Sequence, residues 1–368
     1  MRTIWHTSQS MHRFMLLAIA PFIGIFLALW MMNEEWQLSP ASADESGGSP
    51  VAGQAETVHQ ERTDELLKDL EQSEQLALNI QSAIQTSIQQ YETMTRLAGE
   101  AYQSASVQSK RPLAIYDRRV TAKLGKRIGS ISSDKLHMEL YPIQEKTYKG
   151  YAVKIELKSR EAMKMVLGKD RMGSSENTLQ AVKRYRAAAG INAGGFADDH
   201  RSGKRYPLAT TIVDGQYMGG FYPTFKDLFF VGINENLRLI GGKFSRQDQL
   251  DQLKPMFGAS FVPILMLDGH KQSIPKKWLT SPKRAARTII GDFKHGQLLF
   301  LIIEGTDDFG RTGATLPELQ GLLSRLEVMD AYNLDGGGST TLVWNNRVMN
   351  RIPDGQLRPL ATHFLFFR

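Results

Sequence analysis

Apolar and polar positions change their rhythm several times along this chain, and each rhythm predicts a different element. From Phe14 to Met32 there is no charge at all, only Leu, Ile, Phe, Met, Ala and Trp with one Pro and one Gly. That is close to the roughly 20 residues needed to cross a bilayer. A cleaved signal peptide has an apolar core of only about 7–15 residues. The cleavage-like triplet Ala41-Ser42-Ala43 also lies well past the end of this run, so the expectation is a retained signal anchor. Arg2 and Arg13 precede it, and Glu34 and Glu35 follow it. This asymmetry predicts a single-pass cell-membrane protein, its N-terminus cytoplasmic and its C-terminal part extracellular. Trp30 and Trp36 suit the outer interface.

Ser39 to Gln54 is rich in Ser, Gly, Pro and Ala and reads as a flexible linker. From His59 to about Val107 there is no Pro and one Gly, Gly99, which predicts one long helix. Leu66, Ser73, Ile80, Ser87, Met94 and Ala101 alternate three and four apart with Leu70, Ala77, Ile84, Tyr91 and Ala98. This is a heptad seam, weakened by serines and alanines. Two readings stay open: a coiled-coil stalk pairing in a homodimer, or a single amphipathic helix folded back on the C-terminal domain. Lys110-Arg111-Pro112 is its expected end. At about 1.5 Å per residue, an extended helix would hold the next domain several nanometres from the bilayer.

After Leu113 short apolar runs alternate with helical stretches. Tyr151 to Leu157, Leu228 to Ile233, Leu298 to Ile303 and Thr362 to Phe367 read as strands, the third buried on both faces. Helices are expected near Glu176 to Ala189 and Pro317 to Met329. The expected class is α+β, a mixed β-sheet core with flanking helices, preceded by the transmembrane helix and the helical stalk. The organisation is 1–36 (cytoplasmic tip and anchor), 37–56 (linker), 57–110 (long helix) and 113–368 (one sizeable domain).

The formal net charge is +7, with basic residues dense between Lys110 and Arg186. On an exported domain such a surface attracts anionic glycans or headgroups. Nucleic acid is not expected as a partner, because the basic stretch lacks interleaved aromatics. The absence of cysteine is compatible with export.

Candidate chemistry concentrates in Asn333-Leu334-Asp335-Gly336-Gly337-Gly338-Ser339-Thr340-Thr341, between a helical stretch and an apolar strand. Consecutive glycines are kept where φ is positive or where something approaches the main chain closely. Their N–H groups can form an anion-binding nest. No Lys follows, and the order helix–loop–strand reverses that of a phosphate loop. Thr341 stands where the second glycine of a G-x-S-x-G elbow would be, so a serine hydrolase is not expected. A second cluster is Gly190-Ile191-Asn192-Ala193-Gly194-Gly195-Phe196, where the Asn192 amide suits sugar hydroxyls or phosphate. A third, Arg284-Ala285-Ala286-Arg287-Thr288-Ile289-Ile290-Gly291, puts an arginine at the mouth of a β-branched run. A fourth, Asn350-Arg351-Ile352-Pro353-Asp354-Gly355, leads to Arg358-Pro359. Asp198-Asp199-His200 reads as a polar loop facing water. There is no H-E-x-x-H or cysteine pattern, and no metal or other cofactor is expected.

In this order, with Ile303-Glu304-Gly305 and Gly313-Ala314-Thr315-Leu316-Pro317-Glu318-Leu319 between them, the four segments resemble the phosphodiester glycosidase family. Members include uncovering enzymes, which remove N-acetylglucosamine from a sugar-1-phosphodiester, and bacterial exopolysaccharide-biosynthesis-type domains. The resemblance runs from about Leu136 to the last residue. It implies a hydrolase acting on a sugar-1-phosphodiester in cell-wall or extracellular polysaccharide. Asp335 would be general base or nucleophile and Glu304 the second carboxylate. Arg287 and Arg358 would clamp the leaving phosphate, with Thr288, Ser339 and Arg351 nearby. Gly336, Gly337 and Gly338 would let the backbone close on the ligand, and Asn192 with Gly194 and Gly195 would orient the sugar. The chain departs from the family pattern at Ala193, Glu304 and Thr306. The alternative function is a catalytically degenerate glycan- or phosphate-binding protein of envelope assembly.

Overall fold

The structure, a computed structural model, describes residues 54–306, 312–352 and 355–368. The expected anchor at Phe14 to Met32 lies outside them, as does nearly all of the linker. Among the described residues no helix is long and apolar enough to cross a membrane. The chain divides into a unit ending at Leu97 and a compact unit Ala98–Arg368.

The long helix runs over Gln54–Leu124, further at both ends than expected. In the first unit its seam residues Leu66, Leu70, Ile80, Ile84, Tyr91 and Met94 are all exposed. In the second unit it continues through Pro112 rather than ending there. A proline inside a helix costs about 3 kcal/mol through a lost hydrogen bond and a clash with the preceding turn. Packing further on outweighs that local penalty. Val120 and Leu124 are buried among Tyr141, Tyr148 and Ala152. Tyr116 donates its hydroxyl to the Glu327 carbonyl at 3.0 Å. The buried ammonium of Lys154 lies 2.6 Å from Asp117 and 3.0 Å from the Thr121 hydroxyl. The helix stops one residue before Gly125, whose φ of 88° gives the left-handed turn that suits a glycine.

The rest of this unit is built from three sheets and a hairpin. An eight-stranded sheet runs in the order Gly129–Ser132, Leu136–Gln144, Lys149–Leu157, Leu298–Ile303, Arg287–Phe293, Val328–Leu334, Ile264–Leu267, His270–Lys271. One five-stranded sheet is centred on Phe229–Asn234 and Pro255–Phe261. Another runs Arg347–Val348, Leu342–Trp344, Ala189–Asn192, Thr362–Phe366, Met163–Leu167. Phe196–Asp199 pairs with Lys204–Pro207 as the separate hairpin. In place of one mixed sheet, every strand pairing among the described residues is antiparallel. Many neighbours, such as Leu136–Gln144 and Lys149–Leu157, are joined by links far shorter than the dozen or more residues a parallel crossover requires.

Leu298–Ile303 is buried along its whole length, as its unbroken apolar run predicts. Its alternate residues face two cores. Leu298, Phe300 and Ile302 point to the space between the sheets, where Phe300 lies 5.8 Å from both Phe364 and Phe366. Leu299, Leu301 and Ile303 face Leu316, Leu319 and Leu323 of the Leu316–Arg325 helix. Both short helices are tighter than expected because their caps override the apolar pattern. Asn177 and Gln180 form a capping box, and left-handed Arg186 closes Thr178–Tyr185. Thr315 and Glu318 form the N-terminal box of Leu316–Arg325, and left-handed Glu327 turns the chain after it, which leaves Val328 and Met329 to a strand.

Phe300→Ala is expected to lower unfolding free energy by about 3–5 kcal/mol through the cavity it leaves. Thr315→Ala removes one cap and is expected to cost only about 1 kcal/mol. Urea unfolding followed by circular dichroism checks both.

Candidate active site

Strand register brings the predicted chemistry to one end of the eight-stranded sheet. Arg287 pairs with Ile303, and Thr288 pairs with Leu334. Glu304 and Asp335 therefore leave the sheet beside Arg287, from the strands on either side of it. Neighbouring strands lie about 4.8 Å apart, so the main chains at the two carboxylates are separated by about 10 Å, with the arginine between them.

The triple-glycine bend closes this end. Gly337 has a φ of 58° and starts a short 3-10 turn, Gly337–Ser339. A Cβ at Gly336 would stand 2.8 Å from the Ala286 carbonyl oxygen, and the Gly337 N–H donates to that oxygen at 2.8 Å. Ser339 and Thr340 donate their N–H groups back to Gly336 and Gly337. Of the glycine N–H groups of the expected anion nest, that of Gly337 is thus used within the protein. What the glycines allow is close approach of the bend to Ala286 and Arg287.

Asn192 is fully buried and ties the bend to two sheets. Its Nδ2 donates to the Asp335 carbonyl at 2.7 Å. Its Oδ1 accepts from the Thr288 hydroxyl at 2.8 Å and from the Thr341 N–H at 3.1 Å. An amide has two donor and two acceptor positions, and three are filled here. Asn192 and Thr288 therefore brace the site's main chain, in place of the sugar contact expected of Asn192. Gly194 and Gly195 are packing positions: a Cβ there would meet Ala259 at 2.5 Å and the Phe261 ring at 2.6 Å.

Asp335 Oδ2, Glu304 Oε2, Ser339 Oγ and Thr340 Oγ1 are buried and have no hydrogen-bond partner among the described residues. Buried polar atoms are normally paired, so three orphans along one bend, beside a Glu304 oxygen held only by an ion pair, mark a place built for something else. Burial pushes the Asp335 carboxyl up to about 6; the nearby Ser339 hydroxyl, which falls short of hydrogen-bond geometry, and the charges of Arg358 and Arg205 only partly oppose this. Glu304 Oε1 accepts the Arg351 N–H at 2.9 Å, while Oε2 lies 3.4 Å from the Lys149 ammonium. Asn350 links this corner to the bend, accepting from Leu342 N–H and donating to the Thr340 carbonyl at 2.9 Å.

Arg287 is buried, and its guanidinium donates to the Pro282 carbonyl at 2.9 Å. It forms no ion pair among the described residues, and burial lowers its pKa to about 10. It stays charged at neutral pH, a desolvated cation whose described partners are carbonyls, which suits an anion. Arg358 is near enough to act on the charge of Asp335. Arg351 has an exposed side chain and reaches Glu304 through its N–H.

The structure adds groups that sequence reasoning left without a role: Asn350, Thr340, Lys149 and above all Arg205. Asp198 and Asp199 lie in a strand instead of the expected loop. Asp198 pairs with Arg205 at 2.6 Å, and Asp199 takes the Ser202 hydroxyl. The alternation of exposed charges across Arg201-Ser202-Gly203-Lys204-Arg205 looks like any surface turn, so nothing local distinguishes Arg205.

The phosphodiester glycosidase family model matches residues 185–367. An N-acetylglucosamine-1-phosphodiester alpha-N-acetylglucosaminidase of Bos taurus is 41% identical over 61 residues, 17% of this chain and 11% of that protein. This chain therefore spans a small part of that relative's length. The solved catalytic domain of the zebrafish enzyme of the same name, auto-inhibited by its pro-peptide, aligns with a TM-score of 0.52. It is 21% identical, over 64% of this chain and 85% of that one, a likeness of fold. The matched segment holds Asn192, Arg287, Glu304, Asp335, Arg351 and Arg358, and the chain carries, over residues 185–367, a domain of the phosphodiester glycosidase family.

Proposed function

We propose that this chain hydrolyses a sugar-1-phosphodiester, with Asp335 as the reacting carboxylate. The supporting observation is the buried Asp335 carboxylate, one oxygen unpartnered and acted on by the charges of Arg358 and Arg205, at the sheet end that also carries Glu304 and the main chain of Arg287. The departing phosphate is already a stable anion, so no acid is needed to protonate it. The harder tasks are to stabilise positive charge at the sugar's C1 and to bring in a nucleophile. Above pH 6 an ionised Asp335 does one or both, as nucleophile or as base for water. Arg287 and Arg358 provide positive charge for the leaving phosphate.

Two of the three departures from the family pattern, Ala193 and Glu304, fit within this geometry. Ala193 is buried with its N–H on the Thr362 carbonyl and its own carbonyl accepting from Asp335 N–H. Glu304 reaches the Arg351 N–H. Neither interferes with the bend, which favours turnover over a binding-only role. We assign the substrate to cell-wall or extracellular polysaccharide carrying glycosyl phosphodiesters. The uncharged run Phe14 to Met32 and the net charge of +7 support a membrane-anchored, extracytoplasmic enzyme that attracts anionic polymer.

Asp335→Asn is expected to reduce kcat/KM on a glycosyl-1-phosphodiester by about a thousandfold or more. In the wild type, kcat/KM should rise with pH through about 6 as Asp335 ionises. Its folded pKa lies above the unfolded value, so the stability it contributes is full below about 4 and is lost as pH rises through 6. The inactive Asp335→Asn protein should therefore melt at a higher temperature than wild type at pH 8. Unchanged turnover, or an unchanged melting temperature, counts against the assignment. Removing residues 1–36 should move the protein from the membrane fraction to the soluble fraction of a bacterial host, read by immunoblot, and retention in the membrane would refute the anchor.

A further inference from the structure

The hairpin Phe196–Asp199/Lys204–Pro207 belongs to none of the three sheets, yet its Arg205 is held from three directions. Nε and Nη2 donate to the two oxygens of Asp198 at 2.6 and 3.0 Å, directly across the hairpin. Nη1 donates to the main-chain carbonyl of Pro359. The guanidinium face lies over the Phe196 ring, 4.0 Å from its centre.

Each anchor is itself fixed. The Gly195 N–H donates to Ser260 O at 3.2 Å, and the Leu208 N–H returns to Gly195 O at 2.8 Å, so both ends of the hairpin are tied at its root. The Arg205 N–H donates to Gly173 O at 3.2 Å. On the other side, Leu360 exchanges both main-chain hydrogen bonds with Glu176, at 2.7 and 3.2 Å. Residues 355–359, which carry Arg358, form no helix or strand. Arg358 thus stands at the end of an irregular segment that is gripped at the next peptide by Arg205 and one residue later by Glu176.

We propose that Arg205 is a positioning residue: it grips the Pro359 carbonyl so that Arg358 is presented to the Asp335 site. This rests on the reading of that site as a glycosyl phosphodiester site. Arg205 makes no bond to the substrate in this scheme. Its planar fork meets Asp198 with one edge and Pro359 with another, which the compact ammonium of a lysine does not do. The charges of both arginines bear on Asp335, in keeping with such a coupling.

The test uses the full-length chain with R205A, R205K, R358A and the R205A/R358A double variant. Three quantities are read: kcat/KM on a glycosyl-1-phosphodiester, the titration of Asp335 by carboxyl-13C NMR (assigned with D335N), and the melting temperature. Arg205→Ala and Arg205→Lys should each lower kcat/KM by roughly tenfold or more. The double variant should be no worse than R358A alone, because one arginine acts through the other. The Asp335 titration should move to higher pH in R205A and in R358A. Effects that multiply in the double variant would overturn the proposal, and so would R205K behaving as wild type. A lowered melting temperature with the Asp335 titration unmoved would reduce Arg205 to a strut of the hairpin. If R205A does not fold, R205K and D198N carry the same readings. If the wild type cleaves no glycosyl phosphodiester, the proposed function fails, while the NMR titration, which needs no turnover, still decides the role of Arg205.

Discussion

The buried amide of Asn192 joins the three pieces of main chain from which the site is assembled. It holds the Asp335 carbonyl, the Thr288 hydroxyl and the Thr341 N–H. These belong to the bend, to the Arg287 strand and to the approach to Leu342–Trp344, so a single side chain sets their mutual position. A buried amide is costly unless it is satisfied, which makes the arrangement close to all-or-none. Asn192 in turn lies at the end of a strand paired with Thr362–Phe366, whose Phe364 and Phe366 pack on Phe300. The core and the site are thereby mechanically one object.

Burial then sets the charges. It drives Asp335 upward and Arg287 downward from their ordinary pKa values. Each shift is the expected response of an ionisable group that has lost water without gaining a full partner. A ligand with an anionic phosphate and a developing positive charge at carbon complements both at once. Low-dielectric surroundings make those interactions stronger than they would be in water. The structure's orphaned hydroxyls at Ser339 and Thr340 belong to the same pattern, as donors close to the bend with no protein acceptor among the described residues.

Much of this was legible in the order of residues. Leu298 to Ile303 announced a strand buried on both faces, and the glycine bend at Asp335 announced a close approach. Other features were not, for reasons that lie in the third dimension. Periodicity reports that a strand exists but not the direction of its partner, so it does not separate antiparallel sheets from a mixed one. Pro112 carries a local penalty that is visible in sequence. The compensating burial of Val120 and Leu124 against residues from Tyr141 onward is not visible there. The Asn192 amide is visible in the sequence, but whether an amide faces a ligand or a carbonyl depends on register, here the pairing of Thr288 with Leu334. Arg205 had no mark of its role, because Asp198 makes it look like any hairpin ion pair while the Pro359 carbonyl lies 154 residues further along the chain.

In the proposed reaction the bond broken lies between the sugar's C1 and oxygen, at Asp335. Hydrolysis of an N-acetylglucosamine-1-phosphodiester in 18O-labelled water tests it most directly, with the released phosphomonoester analysed by mass spectrometry. Attack at C1 leaves the phosphate free of label, and that is the predicted result. Label in the phosphate would mean attack at phosphorus, and the glycosidase mechanism drawn from this geometry would be wrong.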